Sequence, residues 1–233
     1  SEPVAGDGTS VPPIADALLS AVDFVAGKTF RLGENPDYEQ TAETSVLQMA
    51  RDKGVPTLEM IYDLLLENEG HALLYRPFLN YSDFNLDAAR EMLAHEHTVP
   101  GLGDAGAHCG LICDGSFPTF LLSHWGRGRT RGERLPVEQL VKAQTADTAA
   151  IVGLLDRGRI APGLKADLNL IDFEALGMRH PEIVHDLPAG GKRLIQRATG
   201  YRATIQSGEV TQENGEMTGA QPGKLVRGPQ PAP

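Results

Sequence analysis

The sequence has no run of 18 apolar residues, the length a helix needs to cross the hydrocarbon core of a bilayer. Its start, Ser1-Glu-Pro-Val-Ala-Gly-Asp-Gly8, has neither the basic opening nor the apolar stretch of a secretory signal. No membrane partner is expected. Basic charge is scarce: 21 Lys and Arg stand against 31 Asp and Glu, for a net charge of −10 and a pI near 5.1. Without a long basic run, nucleic acid is excluded as a partner on electrostatic grounds. Cysteine is limited to Cys109 and Cys113. Four residues apart in one segment, they cannot staple distant parts of the chain, which suits a reducing compartment and a cytoplasmic location. A Gly-x-Ser-x-Gly elbow and a phosphate-binding glycine loop are also absent, which argues against serine-hydrolase and nucleotide-binding functions.

What is present is an ordinary globular composition, 41% hydrophobic and 22% charged over 233 residues, enough for one large domain or one and a half. The 26 glycines and 16 prolines punctuate it heavily. Residues 1–13, with three prolines and two glycines, are expected to be a flexible lead-in. Apolar residues at Ile14, Ala17, Leu18, Ala21, Val22 and Val25 have helical spacing. A second helix is expected from Thr41, read as a capping start, to Lys53, with Gly54 as its stop. A third starts with Thr57 as N-cap and has Ile61, Leu64 and Leu65 on one face. His71–Tyr75 and Thr98–Gly103 read as strands flanking a helix over Ser82–Ala94, a unit that makes parallel sheet. Helices over Gly115–His124 and Pro136–Gly153 follow. Near Gly158 the texture turns to strands and turns, among them Ala166–Phe173 and Ala203–Met217, with Asn214-Gly215 as a type I′ hairpin signal. The last seven residues, with Pro229, Pro231 and Pro233, are expected to trail off.

The most informative segment is Gly101-Leu-Gly-Asp-Ala-Gly-Ala-His-Cys-Gly110. It follows an expected strand, and in parallel α/β folds the C-terminal ends of strands are where sites lie. Its glycines would let backbone approach a ligand closely. Asp104 is therefore a candidate metal ligand or general base, the alternative being a turn Asp that caps the next element. His108 and Gly106 lie in the same loop and are candidate substrate contacts, while Cys109 reads as a small buried residue. His95-Glu-His97 has the look of a metal-binding pair, but at the end of a helix its members would lie about 200° apart, so they read as C-terminal histidines favoured by the dipole. His124 is expected to close a helix, and His180 and His185 to lie in a connecting loop.

The segment Pro162-Gly-Leu-Lys-Ala-Asp-Leu-Asn-Leu-Ile-Asp172 resembles a stretch of the amidohydrolase superfamily in which the chain returns from a metal-bearing (β/α)8 barrel to a β-sandwich. With Gly103-Asp104, Gly115-Ser-Phe-Pro118, Leu135–Val141, Asp156-Arg-Gly158 and Gly215–Arg227, it resembles the N-acyl-D-amino-acid deacylase branch, from about Phe24 to Arg227. The fold implied is α/β: the C-terminal part of a metal-dependent (β/α)8 barrel over residues 14–157, with His71–Tyr75 and Thr98–Gly103 as its seventh and eighth strands, then β-sandwich strands over 158–226 and a flexible tail over 227–233. The activity implied is hydrolysis of a C–N amide bond in a small molecule, most directly deacylation of an N-acyl-D-amino acid. Asp104 matches the carboxylate that takes a proton from water and passes it to the leaving nitrogen, and is also a metal ligand.

The resemblance departs in two places. The histidines and the Cys or modified Lys that hold metal on early barrel strands have no counterpart, so zinc, or another divalent metal, is expected in a complete enzyme rather than on this chain alone. The chain then reads as the C-terminal portion of a longer protein, ordered only against a missing N-terminal part or a second chain, because open barrel and sheet edges leave backbone groups unpaired. Secondly, Ala105–Ser116 contains no Arg or Lys to pair with a substrate carboxylate. Two further readings follow: an amidohydrolase acting on another amide, carbamate or cyclic amide, and a non-catalytic binding or assembly protein that keeps the fold.

Overall fold

The structure, a computed structural model, describes residues 20–101 and 108–233. The expected lead-in over 1–13 and the first part of the expected first helix lie outside them. The chain divides into two compact units, one running up to Gly33 and then over Asp37–Leu86, the other comprising Glu34–Pro36 and Asp87–Pro233. This division rests on contacts and falls well before the change of sequence texture near Gly158.

In the first unit, helices α1 (Val22–Ala26), α2 (Val46–Lys53) and α3 (Thr57–Gly70) converge on one core. Ala26, Val46, Ala50, Met60 and Leu64 are all 2% exposed or less and form its centre. Ser45, not Thr41, caps α2: its hydroxyl accepts the Gln48 N–H at 3.2 Å. Thr41 makes no cap bond, and residues 42–44 instead form a short 3-10 turn. Gly54 ends α2 in the left-handed region at φ +68°, as expected for a glycine stop. Thr57 is the first helical residue rather than the cap, and its hydroxyl bonds Asp23 at 2.5 Å. Met60 and Leu64 face the core one turn apart, whereas Leu58, Tyr62, Leu65 and Leu66 are exposed. The helix loses its geometry at Glu67–Glu69, where Asn68 and Glu69 take positive φ.

Beside this core, Phe30 is fully buried within a ring of Tyr75, Tyr81 and Phe84, centroids 6.2–6.4 Å away. Phe30 also sets the pairing. Strand β1 (Phe30–Arg31) runs antiparallel to β2 (Leu74–Tyr75), with Phe30 opposite Tyr75. The expected strand at 71–75 thus exists, but only as two residues and with an antiparallel partner.

The second unit opens with helix α4 (Asp87–Ala94). It is shorter than the expected Ser82–Ala94 because Phe84 takes φ +55°, which a helix cannot continue through. The expected strand over Thr98–Gly103 is not seen in Thr98–Gly101, and Leu102 and Gly103 lie outside the described residues. Thr98 belongs to the helix end instead: its N–H and hydroxyl both donate to the His95 carbonyl. Every ladder among the described residues is antiparallel, so no parallel strand, helix, strand unit is formed among them.

A continuous helical segment begins as α5 (Phe117–Phe120) and widens to π geometry over Leu121–Gly128. A second runs as α6 (Val137–Lys142), π over Ala143–Asp147, and α7 (Thr148–Ile151). The two expected helices are therefore present with π-helical interiors. Beyond them, β3 (Leu168–Ile171), β8 (Tyr201–Gln206), β9 (Glu209–Glu213) and β10 (Glu216–Met217) make one antiparallel sheet in the order β10-β9-β8-β3. Its turns are Ser207-Gly208 and Asn214-Gly215, all four residues at positive φ, the type I′ signature. Two-residue strands β4 (Gly177–Met178) and β7 (Ala198–Thr199) pair, and β5 (Glu182–Leu187) with β6 (Gly191–Ile195) forms a separate exposed hairpin. The architecture is mixed α/β. Among the described residues there is no closed barrel, and the sheet of β3 and β8–β10 is the only one of more than two strands.

The tail departs from expectation. Gln230 exchanges hydrogen bonds with Gly153 and Leu155, at 2.8 and 2.9 Å, as a parallel bridge. The prolines remove donors, but Gln230 keeps its N–H and uses it.

In the β5–β6 hairpin, Arg193 grips Asp186 with Nε and Nη2 at 2.8 and 2.6 Å. That hydrogen bond, reinforced by the guanidinium charge, holds the Asp186 carboxyl below the usual carboxylate range. A lowered folded-state value means that the pair's contribution is complete above the ordinary carboxylate range and is lost as pH falls through the depressed value. An NMR titration should give an Asp186 midpoint below that of exposed aspartates, and Arg193→Gln should return it to the ordinary range; an ordinary midpoint in the unmodified protein would contradict the pairing. For the core, Leu64→Ala should cost about 2–5 kcal/mol, whereas Leu66→Ala, at a residue 54% exposed, should stay within about 0.5 kcal/mol. Urea unfolding of the two variants compares them.

Candidate functional site

Asp104 and Gly106 lie outside the described residues, so the structure is described from the next loop residue, His108. His108 takes φ +50°, uncommon without glycine, and its carbonyl receives the N–H groups of Leu111 and Ile112 at 2.8 and 3.1 Å. The side chain is exposed. The turn leaves the next carbonyl, that of Cys109, to accept the Leu194 N–H of β6 at 2.6 Å. The loop therefore lies along the outer edge of the hairpin. Seven residues on, the Ser116 hydroxyl donates to Gln196 Oε1 at 2.5 Å, and Gln196 Nε2 donates to the Arg179 carbonyl at 2.8 Å. Thr119 and Tyr201 pair their hydroxyls at 2.9 Å. Between these anchors, burial first and the Asp114 carboxylate second push the Cys113 thiol up. A thiol kept protonated is a poor nucleophile and a poor metal ligand.

The arginines after the loop are committed to the scaffold. Arg127 lies 5.3 Å from the Phe173 ring centre and donates to the Phe173 and Leu176 carbonyls. Arg129 is 1% exposed, its guanidinium 4.9 Å from the Trp125 ring, with Nη2 on Asp87 at 2.6 Å and Nη1 on the Glu133 carbonyl at 3.0 Å. Composition could not mark Arg129, since nothing local distinguishes it from Arg131 or Arg134. The hairpin was missed for another reason: the Pro188-Ala-Gly-Gly191 turn was a readable signal, yet the flanking strands are mostly exposed and lack the alternation that marks a buried face. His185 accordingly lies in β5 rather than in a loop, while His180 does lie between strands. His124 lies inside the π segment, its ring stacked on Phe120 at 4.4 Å, and does not close the helix.

His95 and His97 are not on opposite sides of a helix. The helix ends at Ala94, the chain turns, and the two rings come to 5.4 Å. Both remain exposed, and His95 Nδ1 accepts the His97 N–H. Among the described residues no group of three or more His, Cys, Asp or Glu side chains could hold a metal ion. These residues therefore do not fit the divalent metal that the resemblance implies. Among them, too, no helix is long and apolar enough to cross a membrane.

Comparison with known proteins gives the following. No curated protein matches the chain. Three solved structures of D-aminoacylase are similar at 23% identity over 84% of this chain, with TM-scores of 0.43–0.44. One is described as defining a novel subset of amidohydrolases, one concerns a binuclear metal centre with one-metal activation and second-metal attenuation, and one is a mutant in complex with copper chloride. The chain spans 37% of the length of each of those proteins. The family model for the amidohydrolases matches residues 14–212. Since that match takes in most of the sequence, from the first apolar-periodic segment through β8 and most of β9, the chain belongs to the amidohydrolase family.

Proposed function

We propose that this chain serves the hydrolysis of a C–N amide bond in a small molecule, with N-acyl-D-amino acids as the substrate class and Asp104 as its proton-transfer residue. The observation that carries the reading is the amidohydrolase match over residues 14–212, which spans Asp104 and the Pro162–Asp172 stretch. Amide hydrolysis needs a proton removed from the attacking water and a proton delivered to the leaving nitrogen. One carboxylate performs both because the two atoms are neighbours in the tetrahedral intermediate. In this reading Asp104 accepts the proton of water, holds it while the carbonyl carbon is attacked, and releases it to the nitrogen as the C–N bond breaks. His108 and Gly106, in the same loop, are assigned to substrate contact. The described residues offer no fitting site for a divalent metal, and no step here is routed through one.

A second reading has a specific observation in its favour. Ala105–Ser116 has no Arg or Lys, and Arg127 and Arg129 are bound to the scaffold. An amide, carbamate or cyclic amide without a free carboxylate needs no such cation. A panel of N-acyl-D-amino acids, their L enantiomers and carboxylate-free amides separates the two readings.

Asp104→Asn in the intact protein should lower turnover by about 10²- to 10⁴-fold while leaving its circular dichroism spectrum unchanged, because the amide keeps the shape and loses the basicity. Near-normal turnover would refute the role. His95→Ala and His97→Ala should leave kcat and metal content unchanged; loss of bound metal in either would place these side chains in the site.

A further inference from the structure

The loop that follows Asp104 is tied to the strand segment around β6 at two points, and one side chain makes the second. Leu194 N–H bonds the Cys109 carbonyl at 2.6 Å. Gln196, two residues on, accepts the Ser116 hydroxyl at 2.5 Å and donates to the Arg179 carbonyl at 2.8 Å. The Ser116 hydroxyl also lies 3.4 Å from the Cys113 carbonyl, so the same serine touches the loop and its anchor. We propose that Gln196 is a positioning residue for amide hydrolysis: it clamps Ser116 and thereby fixes residues 108–116, the segment through which the chain leaves Asp104.

The geometry favours this role over a surface contact. A side-chain amide has one acceptor and one donor end, and here each end has a different partner, 80 and 17 positions away in the sequence: Ser116 on the loop side, Arg179 on the side of the strands. Such a residue cannot turn over without breaking both bonds. The Ser116 contact is partly buried, which shields it from competing water. Among the loop's described residues the internal bonds include the turn at His108, the 3-10 turn at Asp114–Ser116 and the Ser116 hydroxyl on the Cys113 carbonyl, and Leu111 is 84% exposed. The loop's two ties to residues outside it, at Leu194 and Gln196, fix its position against the hairpin. A misplacement of about 1 Å at a reacting group can cost on the order of 10²-fold in rate.

The proposal rests on the assignment of proton transfer to Asp104, so the test has one arm independent of activity. In the intact protein, Gln196→Leu removes both bonds, Gln196→Glu keeps the acceptor for Ser116 and loses the donor to Arg179, and Ser116→Ala removes the shared bond. Amide hydrogen exchange over 108–116 should quicken in Gln196→Leu and Ser116→Ala, with exchange in α2 and α3 unchanged. With N-acetyl-D-amino acids, kcat should fall about 10- to 100-fold at unchanged KM in Gln196→Leu, fall less in Gln196→Glu, and fall no further in the Ser116→Ala, Gln196→Leu double variant than in Gln196→Leu alone, since Gln196→Leu already removes the bond through which Ser116 acts. Unchanged exchange over 108–116 overturns the clamp whatever the activity. Faster exchange with unchanged kcat overturns the positioning role. Faster exchange in a protein whose unmodified form hydrolyses no amide supports the clamp and overturns the functional reading instead.

Discussion

The second unit is organised around a buried charge. A guanidinium at 1% exposure must have its charge and its donors answered inside the protein, because an unanswered buried ion costs several kcal/mol. Arg129 obtains Asp87 from α4, the Trp125 ring from the π segment and the Glu133 carbonyl from the turn beyond. Three stretches of chain are thus held at fixed separation by one side chain. Gly132 belongs to the same device: at φ +143°, any Cβ there would come within 2.7–2.9 Å of the guanidinium atoms. The turn closes over Arg129 because that position has no side chain.

The rest of the unit is assembled at edges rather than around a deep centre. Besides the buried apolar side chains Leu121, Leu122 and Trp125, order comes from backbone pairs at strand margins and from single polar bridges such as Thr119 to Tyr201 and Arg157 to Asp156 and Asp167. Open edges demand partners, and this chain meets some of the demand with its own irregular segments: Cys109 pairs at β6, and Gln230 pairs at Gly153 and Leu155. The exposed apolar residues of α3, Leu58, Tyr62, Leu65 and Leu66, show that helix burying one stripe while presenting a second.

Several elements were legible in the sequence because their causes are local. Asn214-Gly215 turns where positive φ is tolerated, Gly54 stops a helix for the same reason, and Leu64 is buried as its place on the expected face of Ile61, Leu64 and Leu65 implies, although Met60 rather than Leu65 joins it in the core. The membership in the amidohydrolase family was legible too, through motifs spread from Gly103 to Arg227. Other readings failed where the deciding partner is remote. Thr98–Gly101 has strand-like composition, yet Thr98 is taken up by the His95 carbonyl, and Phe84 breaks the expected helix with a left-handed backbone beside the Phe30 ring.

The sequence by itself determined where the chain turns, which helix faces are apolar, and which family it joins, because backbone preferences and residue order need no distant neighbour. Only the tertiary structure decided which strands pair, which arginine is buried and which side chains touch. Phe30 draws β1 against β2 because aromatic rings at 71–84 enclose it. Arg129 differs from Arg131 only in meeting Trp125 and Asp87, and Gln196 from other glutamines only in lying between Ser116 and Arg179. These are properties of complementarity between segments far apart in sequence, and no periodicity or local propensity encodes them.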